Sequence, residues 1–422
     1  MKFDIFSKKQ LIVLTWWNEK SKFKDKKGII CDGSIRSGKS LSMSLSFIFW
    51  AMKNFTGQQF GMSGKTVGGF ERNVIFWLLP ILKSRGYKVE YKDNTLIVKI
   101  RDSITNEIKL NYFYVFGGRD ERSFSIIQGM TAAGWYFDEV ALQPKSFVNQ
   151  AIGRCSVKGN KLWFNCNPDM PNHWFKTDFI DNKDKLNMLH LHFTMDDNPS
   201  LDEEIINDYK SRFTGVFYLR YILGLWALAE GIIYDMYNEE INTYEKIDEN
   251  IKLNSTRYFA IDYGTTNPFV VLDIFDNWEI AYQENEIYYD SKKTKKSLPD
   301  IEYLSMIKEL EKKENIPVSK IIIDPSAESL KVLLRDNGYI VKDANNSVLE
   351  GIKCTGSALW QERYKINKRN CKNTIKEIGG YVWDEKAIKR GEEKPIKIDD
   401  HAMDAMRYFI NTIMRSRILG RM

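Results

Sequence analysis

The chain is poor in residues that staple a fold, bind soft metals or break structure. Its 422 residues hold five cysteines, four histidines and ten prolines. The cysteines, Cys31, Cys155, Cys166, Cys354 and Cys371, are scattered, odd in number and form no CxxC pair. A disulfide framework is therefore not expected, and a reduced intracellular setting is. His173, His190, His192 and His401 are the only imidazoles, and no Cys/His cluster has zinc spacing. Any metal site must use oxygen ligands, which suit magnesium or manganese. Few prolines argue against long disordered linkers. Long apolar runs are missing as well: residues 41–52 are interrupted by serines and are too short to cross about 30 Å of hydrocarbon. The amino terminus has only a short apolar run and no small-residue cleavage pattern, so no signal peptide is expected. One-sided charge is also lacking. The 62 Lys+Arg against 56 Asp+Glu give a net charge of +6, which permits a nucleic-acid partner without demanding one.

What is present is apolar substance, 43% hydrophobic and 13% aromatic residues, in a chain too long for one ordinary core. Residues 28–165 alternate short apolar runs with helical patterns, the rhythm of a mostly parallel sheet. Within them, residues 87–93, 95–102 and 107–118 read as antiparallel strands at an insertion or sheet edge. Residues 202–230 read as helices, after which periodicity is lost and acid accumulates. The second half restarts with three antiparallel strand candidates over residues 256–290, followed by alternating helix and strand, the ribonuclease H pattern of elements. The expected class is α/β: a P-loop NTPase domain over residues 1–235, a linker over 236–254, and a ribonuclease H-like domain over 255–422.

Gly33-Ser-Ile-Arg36-Ser37-Gly38-Lys39-Ser40 satisfies GxxxxGK[ST] after a predicted strand and before a predicted helix. In such a loop, backbone N–H groups and the helix start hold phosphates, Lys39 reaches the β and γ oxygens, and the Ser40 hydroxyl ligates magnesium. Ser63-Gly-Lys-Thr66 repeats part of the pattern, but Gln59 stands where its first glycine is needed, so it reads as a strand end and loop. The apolar strand ending at Asp138-Glu139 supplies the second half of an ATPase. Asp138 would sit just outside the direct ligands of magnesium, and Glu139 would polarise the attacking water. In Asn165-Cys-Asn167-Pro168, Asn167 is a candidate γ-phosphate sensor, with an Asn-Pro turn as the plain alternative. Arg36, Arg119, Arg122 and Arg154 are candidates for a transition-state charge, and Gln10 for an adenine-reading amide or simply a solvated glutamine.

In the second half, Asp262, Asp324 and Asp404 each flank buried apolar sequence. Singly, such acids are turns or caps. Three that converge would repel unless cations lie between them, and two magnesium or manganese ions satisfy that geometry for phosphodiester cleavage. Asp400 and His401 fall on the Asp404 side of the last helix as peripheral ligands or orienters, with Asp400 alternatively its cap. Lys292-Lys293-Thr294-Lys295-Lys296 and the basic run over residues 363–376 read as phosphate-tracking surfaces beside a nuclease site.

The order of these parts, with Tyr221-Ile-Leu-Gly-Leu-Trp226, Asp262-Tyr-Gly and His401-Ala-Met-Asp404-Ala-Met-Arg-Tyr408, resembles the large terminase subunit of tailed bacteriophages over nearly the whole chain. The resemblance implies an ATP-driven motor that pumps double-stranded DNA through a portal into a procapsid, and a metal-dependent endonuclease that cuts concatemers. It implies ATP and magnesium at Lys39, Ser40, Asp138 and Glu139, coupling at Asn167, and two magnesium or manganese ions at Asp262, Asp324 and Asp404. A small terminase subunit, a ring of like subunits on the portal and the cytoplasm of an infected bacterium complete the expectation. A helicase or repair nuclease, or a nucleotide-switched DNA-tethering protein, are the alternatives the residues leave open.

Overall fold

A computed structural model describes residues 6–102, 106–264 and 267–420. The chain forms two compact units: residues up to 206 with 219–228, and residues 207–218 with those from 229 onward.

The first unit is built on eight strands: β1 (Gly28–Gly33), β2 (Gln59–Gly64), β3 (Lys88–Lys92), β4 (Thr95–Arg101), β5 (Ile108–Gly117), β6 (Gly134–Phe137), β7 (Lys161–Cys166) and β8 (Met188–Phe193). Their order is β3-β4-β5-β2-β6-β7-β1-β8. The six strands from β5 to β8 run parallel, and β3 and β4 add antiparallel to the edge at β5, as expected. Every residue of β1 and β6 is buried, which is why these strands read as continuous apolar runs: a parallel sheet is covered on both faces. Alternate side chains enter opposite cores. Ile29, Cys31, Tyr136 and Trp163 join one, Ile30, Trp135, Phe137 and Phe164 the other.

Helix α1 (Lys8–Thr15) and helix α2 (Lys39–Asn54) pack on the first of these cores. The serines that interrupt α2 are buried but satisfied. Ser42 Oγ donates to Gly38 O at 3.0 Å and Ser46 Oγ to Val13 O at 2.5 Å, while the Trp17 and Trp163 indoles each donate to Ser46 Oγ at 3.1 Å. Among the described residues no helix is long and apolar enough to cross a membrane.

The second unit has seven strands: β9 (Thr243–Tyr244), β10 (Thr256–Asp262), β11 (Phe269–Asp276), β12 (Ala281–Tyr289), β13 (Val318–Ile323), β14 (Val341–Asp343) and β15 (Tyr364–Asn367), in the order β14-β13-β10-β11-β12-β15-β9. The β10-β11-β12 meander is antiparallel and β13 lies parallel to β10, the ribonuclease H-like arrangement. Arg257 on β10 is fully buried and grips Asp273 with Nε at 2.8 Å and Nη2 at 3.0 Å, and it donates to the carbonyls of Leu310, Glu311 and Ile316. A buried pair this well satisfied ties the meander to the end of the helix Asp300–Glu311. The last helix, His401–Phe409, packs across β10 and β11.

The structure departs from two expectations. Residues 202–230 are helical only over Glu203–Ser211 and residues 215–222 and then run without helix, because Gly224 adopts φ 71° and residues 219–228 return to the first unit. Residues 236–254, expected as a linker, belong to the second unit. There β9 pairs with β15, and Lys252 bridges Glu284 and Glu314 at 3.2 and 2.7 Å.

Candidate functional site

The phosphate loop turns from β1 into α2. At Gly33, φ is 133° and a Cβ would lie 1.9 Å from Phe193 O on β8, so only glycine fits. Gly38 caps α2 at φ 81°, and a Cβ there would meet Gln10 Nε2 at 2.2 Å. Gln10 is thus a wall of the loop: it is 2% exposed, its Oε1 accepts from Ser7 N at 3.0 Å, and its Nε2 faces Gly38. Arg36 is exposed at φ 58°, with its carbonyl held by Asn198 Nδ2 at 2.7 Å.

The buried Lys39 ammonium donates to Gly33 O, Ser34 O, Ser37 Oγ and Asn167 Oδ1 at 3.1, 2.6, 3.1 and 3.3 Å. Burial lowers its pKa to about 8. Asp138, at the end of β6, accepts from Ser40 Oγ at 3.1 Å, Tyr136 Oη at 2.8 Å and Asn165 Nδ2 at 2.6 Å, all on Oδ1. Asn165 also donates to Ser40 Oγ at 2.8 Å. Two buried polar atoms of the site, Ser34 Oγ and Asn165 Oδ1, have no hydrogen-bond partner, a cost of about 1–3 kcal/mol each that a polar ligand would relieve. Glu139 follows at φ 53°, and burial, then the neighbouring Asp138, push its carboxyl up to about 7, against the lowering pull of Lys65 and Lys39. Lys65 belongs to the partial second motif, whose Thr66 caps the helix Val67–Phe70 through Gly69 N at 3.0 Å.

Of the four arginine candidates, Arg119 and Arg122 are exposed beside the 3-10 turn Glu121–Ile127, and Arg154 ends the helix Lys145–Arg154 with a buried Nε that lacks a partner. Sequence reasoning missed Asp32, the residue before Gly33. Burial favours its neutral acid, but Nε2 of His190 at 2.8 Å, Nδ1 of His192 at 3.2 Å and the indole of Trp226 at 2.7 Å hold it well below the usual carboxylate range.

In the second unit, Ile261 pairs with Ile323, so Asp262 ends β10 beside the point where Asp324 follows β13. Asp404 approaches from the last helix. Burial, then the charges of Asp262, Asp404 and Asp324, raise the Tyr408 hydroxyl, which donates to Asp324 Oδ2 at 3.1 Å. Each acid is engaged. Asp262 Oδ2 meets His401 Nδ1 at 2.9 Å; Asp324 accepts from Ser326 N and Oγ, Asn346 Nδ2 and Tyr408 Oη at 2.8, 2.6, 3.1 and 3.1 Å. Asp404 Oδ1 pairs with Arg407 and Oδ2 with Lys397, both at 2.8–2.9 Å. In this partnered state no three acids or imidazoles among the described residues are gathered closely enough to hold an ion.

The donor chemistry nonetheless fits a hard divalent cation. Burial raises the Asp262 carboxyl despite His401, and Asp404 and Asp400 raise it further, so added positive charge would be stabilising. A cavity of about 540 Å³ is lined by Asp262, Asp400, His401 and Asp404 among others. Asp400 is the residue before the last helix, but its side chain makes no capping bond. The basic runs are largely paired: Lys365 with Glu362, Lys368 with Glu239, Arg369 with Glu245, Lys376 with Asp399, and Lys293 with Asp290.

The family description "Terminase large subunit, T4likevirus-type, N-terminal" matches residues 30–241. The large terminase of a thermophilic bacteriophage is 49% identical over 97% of this chain and 99% of its own, with a TM-score of 0.89. The same phage protein in complex with ADP superposes with a TM-score of 0.86 at 48% identity, and in complex with ATP-gamma-S with 0.85 at 49%, each covering 97% of this chain and 100% of that one. No curated protein matches. A phosphate loop and a carboxylate edge on two such sheets, with a relative this similar end to end, place the chain in the phage terminase large-subunit family.

Proposed function

We propose that this chain hydrolyses ATP to drive double-stranded DNA into a procapsid and cuts that DNA at its second unit. The observation that carries the first half is the meeting of Ser40 at the start of α2 with Asp138 after β6 and Asn165 on β7, while the adjacent Lys39 reaches Asn167. The nucleotide complexes of the thermophilic-phage relative support a nucleotide at the loop. The loop N–H groups would hold the phosphates and Gln10 Nε2 would offer a donor to the base. Lys39 would exchange its carbonyl partners for the β and γ oxygens, and Asn167, now bonded to it, would report that exchange. Ser40 and Asp138 fit a magnesium ion, which when bound offsets charge on the β and γ phosphates. Glu139 would take the proton of the attacking water.

At the carboxylate edge, Asp262, Asp324 and Asp404 fit two magnesium or manganese ions, with Asp400 and His401 at the periphery. Such ions supply an activated water and stabilise the leaving oxygen of a phosphodiester. His401 orients Asp262 through the 2.9 Å contact. Packaging implies a portal, a small terminase subunit and a ring of like subunits as partners, in the host cytoplasm.

The test uses the full chain with two substitutions. Lys39→Ala should lower ATP hydrolysis by at least about 100-fold and spare manganese-dependent plasmid nicking. Asp262→Ala should do the reverse. Loss of both activities from either change, in a protein with parental circular dichroism, would contradict separate sites.

A further inference from the structure

Two cations contact Asp404, and they differ in every respect that matters for exchange. The Arg407 side chain is 2% exposed, and its guanidinium reaches Asp404 Oδ1 at 2.8 Å while Nη1 donates to Asn346 O and Ser347 O at 2.9 and 3.3 Å. Its stem lies against Gly351, where a Cβ would come within 2.2 Å of Arg407 Cγ. Arg407 is therefore fixed, and Oδ1 is permanently committed.

Oδ2 is different. Its partner, Lys397, has a side chain 57% exposed, and its ammonium lies 2.9 Å from Asp404 Oδ2 and 2.9 Å from Asp400 Oδ2. Asp400 is 3% exposed, and the contact to its Oδ2 is an ion pair without hydrogen-bond alignment. The loop holding Lys397 is anchored at Ile396 N, which donates to Val382 O at 3.0 Å, and at Asp400 O, which accepts from Asp404 N at 2.9 Å. Between those anchors Asp399 takes φ 47°. A lysine stem of four carbons on such a loop can leave without disturbing the helix or the sheet.

The ammonium thus sits between two acids, on the one Asp404 oxygen that Arg407 leaves to the cavity. We propose that Lys397 is a place-holder cation: it neutralises Asp404 and Asp400 in the metal-free chain and is displaced from Asp404 Oδ2 when a divalent ion enters. This rests on the reading of the carboxylate edge as a metal site. The physical need for it is the charge density there. Without a metal, unneutralised acids at a buried edge repel one another and the fold opens or the acids take up protons. A fixed second arginine would solve that problem and close the site to metal. An exchangeable lysine solves it and leaves the site loadable, at the cost of competing with the ion. Lys397 is a positioning residue in this account.

The experiment titrates Mn2+ into the nucleotide-free full chain and reads unbound ion by its electron paramagnetic resonance, alongside thermal melts in EDTA and in Mn2+. Lys397→Met keeps the stem and removes the charge. It should bind Mn2+ about five- to tenfold more tightly than the parent and melt lower in EDTA, with the deficit recovered in Mn2+. Lys397→Arg, which retains a cation at the same place, should melt like the parent in EDTA and bind Mn2+ no more tightly than the parent. Equal or weaker Mn2+ binding by Lys397→Met would overturn the proposal. Asp404→Asn is the separate control. If it leaves parental Mn2+ binding unchanged, the metal-site reading itself fails, whatever Lys397→Met does.

Discussion

Glu139 shows what a single residue carries. Its left-handed backbone at φ 53° is strain that a glutamate tolerates only where its surroundings enforce it, and its carboxyl is pushed up to about 7 by burial and by Asp138. In the unfolded chain a glutamate titrates near about 4.3. Between those values the folded chain binds more protons, so this group's contribution to stability is lost as pH rises through about 7. Glu139→Gln abolishes the titration. Its stability relative to the parent, measured by urea unfolding without nucleotide, should rise by on the order of 2–3 kcal/mol between pH 5 and pH 8, while ATP hydrolysis is lost. A pH-independent difference would show an ordinary solvated carboxylate. The loop residues 33–40 were legible because the phosphate-loop pattern fixes their spacing, and Asp138-Glu139 because they end an apolar strand. The amides were less so: strand β7 brings Asn165 onto Ser40 and Asp138, while Asn167 reaches Lys39. Lys397 and Arg407 were invisible, since a lysine in a polar loop and an arginine on a helix announce no partner until the fold supplies one.

At the scale of elements, residues 219–228 form a strap on the phosphate loop. Ile35 N donates to Tyr221 O at 2.9 Å, the Trp226 indole to Asp32 Oδ2 at 2.7 Å, and Ala227 N to Asp169 O at 3.2 Å, just beyond Asn167-Pro168. Gly224 lies so close that a Cβ would come within 2.8 Å of Ser34 N. The sequence pattern of this stretch is helical. The pull of Asp32 on Trp226 and the tight approach at Gly224 override it, which is why local periodicity misread it. Strand β8 was missed for a related reason: His190 and His192 look like solvent-facing polar residues until Asp32 is seen between them. Trp226→Phe keeps an aromatic ring, smaller than the indole, and removes the donor to a buried carboxylate, so it should cost about 1–3 kcal/mol in unfolding free energy. If the strap shapes the loop, it should also weaken ATP-gamma-S binding about three- to tenfold by calorimetry. Unchanged affinity with the expected loss of stability would confine the strap to a structural part.

For the whole molecule, the chain passes between the two compact units after residues 206, 218 and 228. The strap is thus a piece of the first unit tethered at both ends to the second. The P-loop and ribonuclease H-like halves were legible in outline because each has its own strand rhythm, whereas the threefold crossing was not, since no local pattern records which unit a segment joins. Each unit has its own sheet and apolar core, and each proposed ligand belongs to one of them. Ligand linkage then gives a prediction about the entire chain. A ligand at 100 times its Kd stabilises its unit by about 2.7 kcal/mol, which for a unit of roughly 200 residues is a rise of about 5–10 °C. In scanning calorimetry, ATP-gamma-S with magnesium should raise one transition and, without nucleotide, Mn2+ the other. Lys39→Ala should erase only the first shift and Asp404→Asn only the second. If both ligands instead move one common transition, with each substitution still erasing only its own ligand's shift, the two units unfold as a single cooperative body.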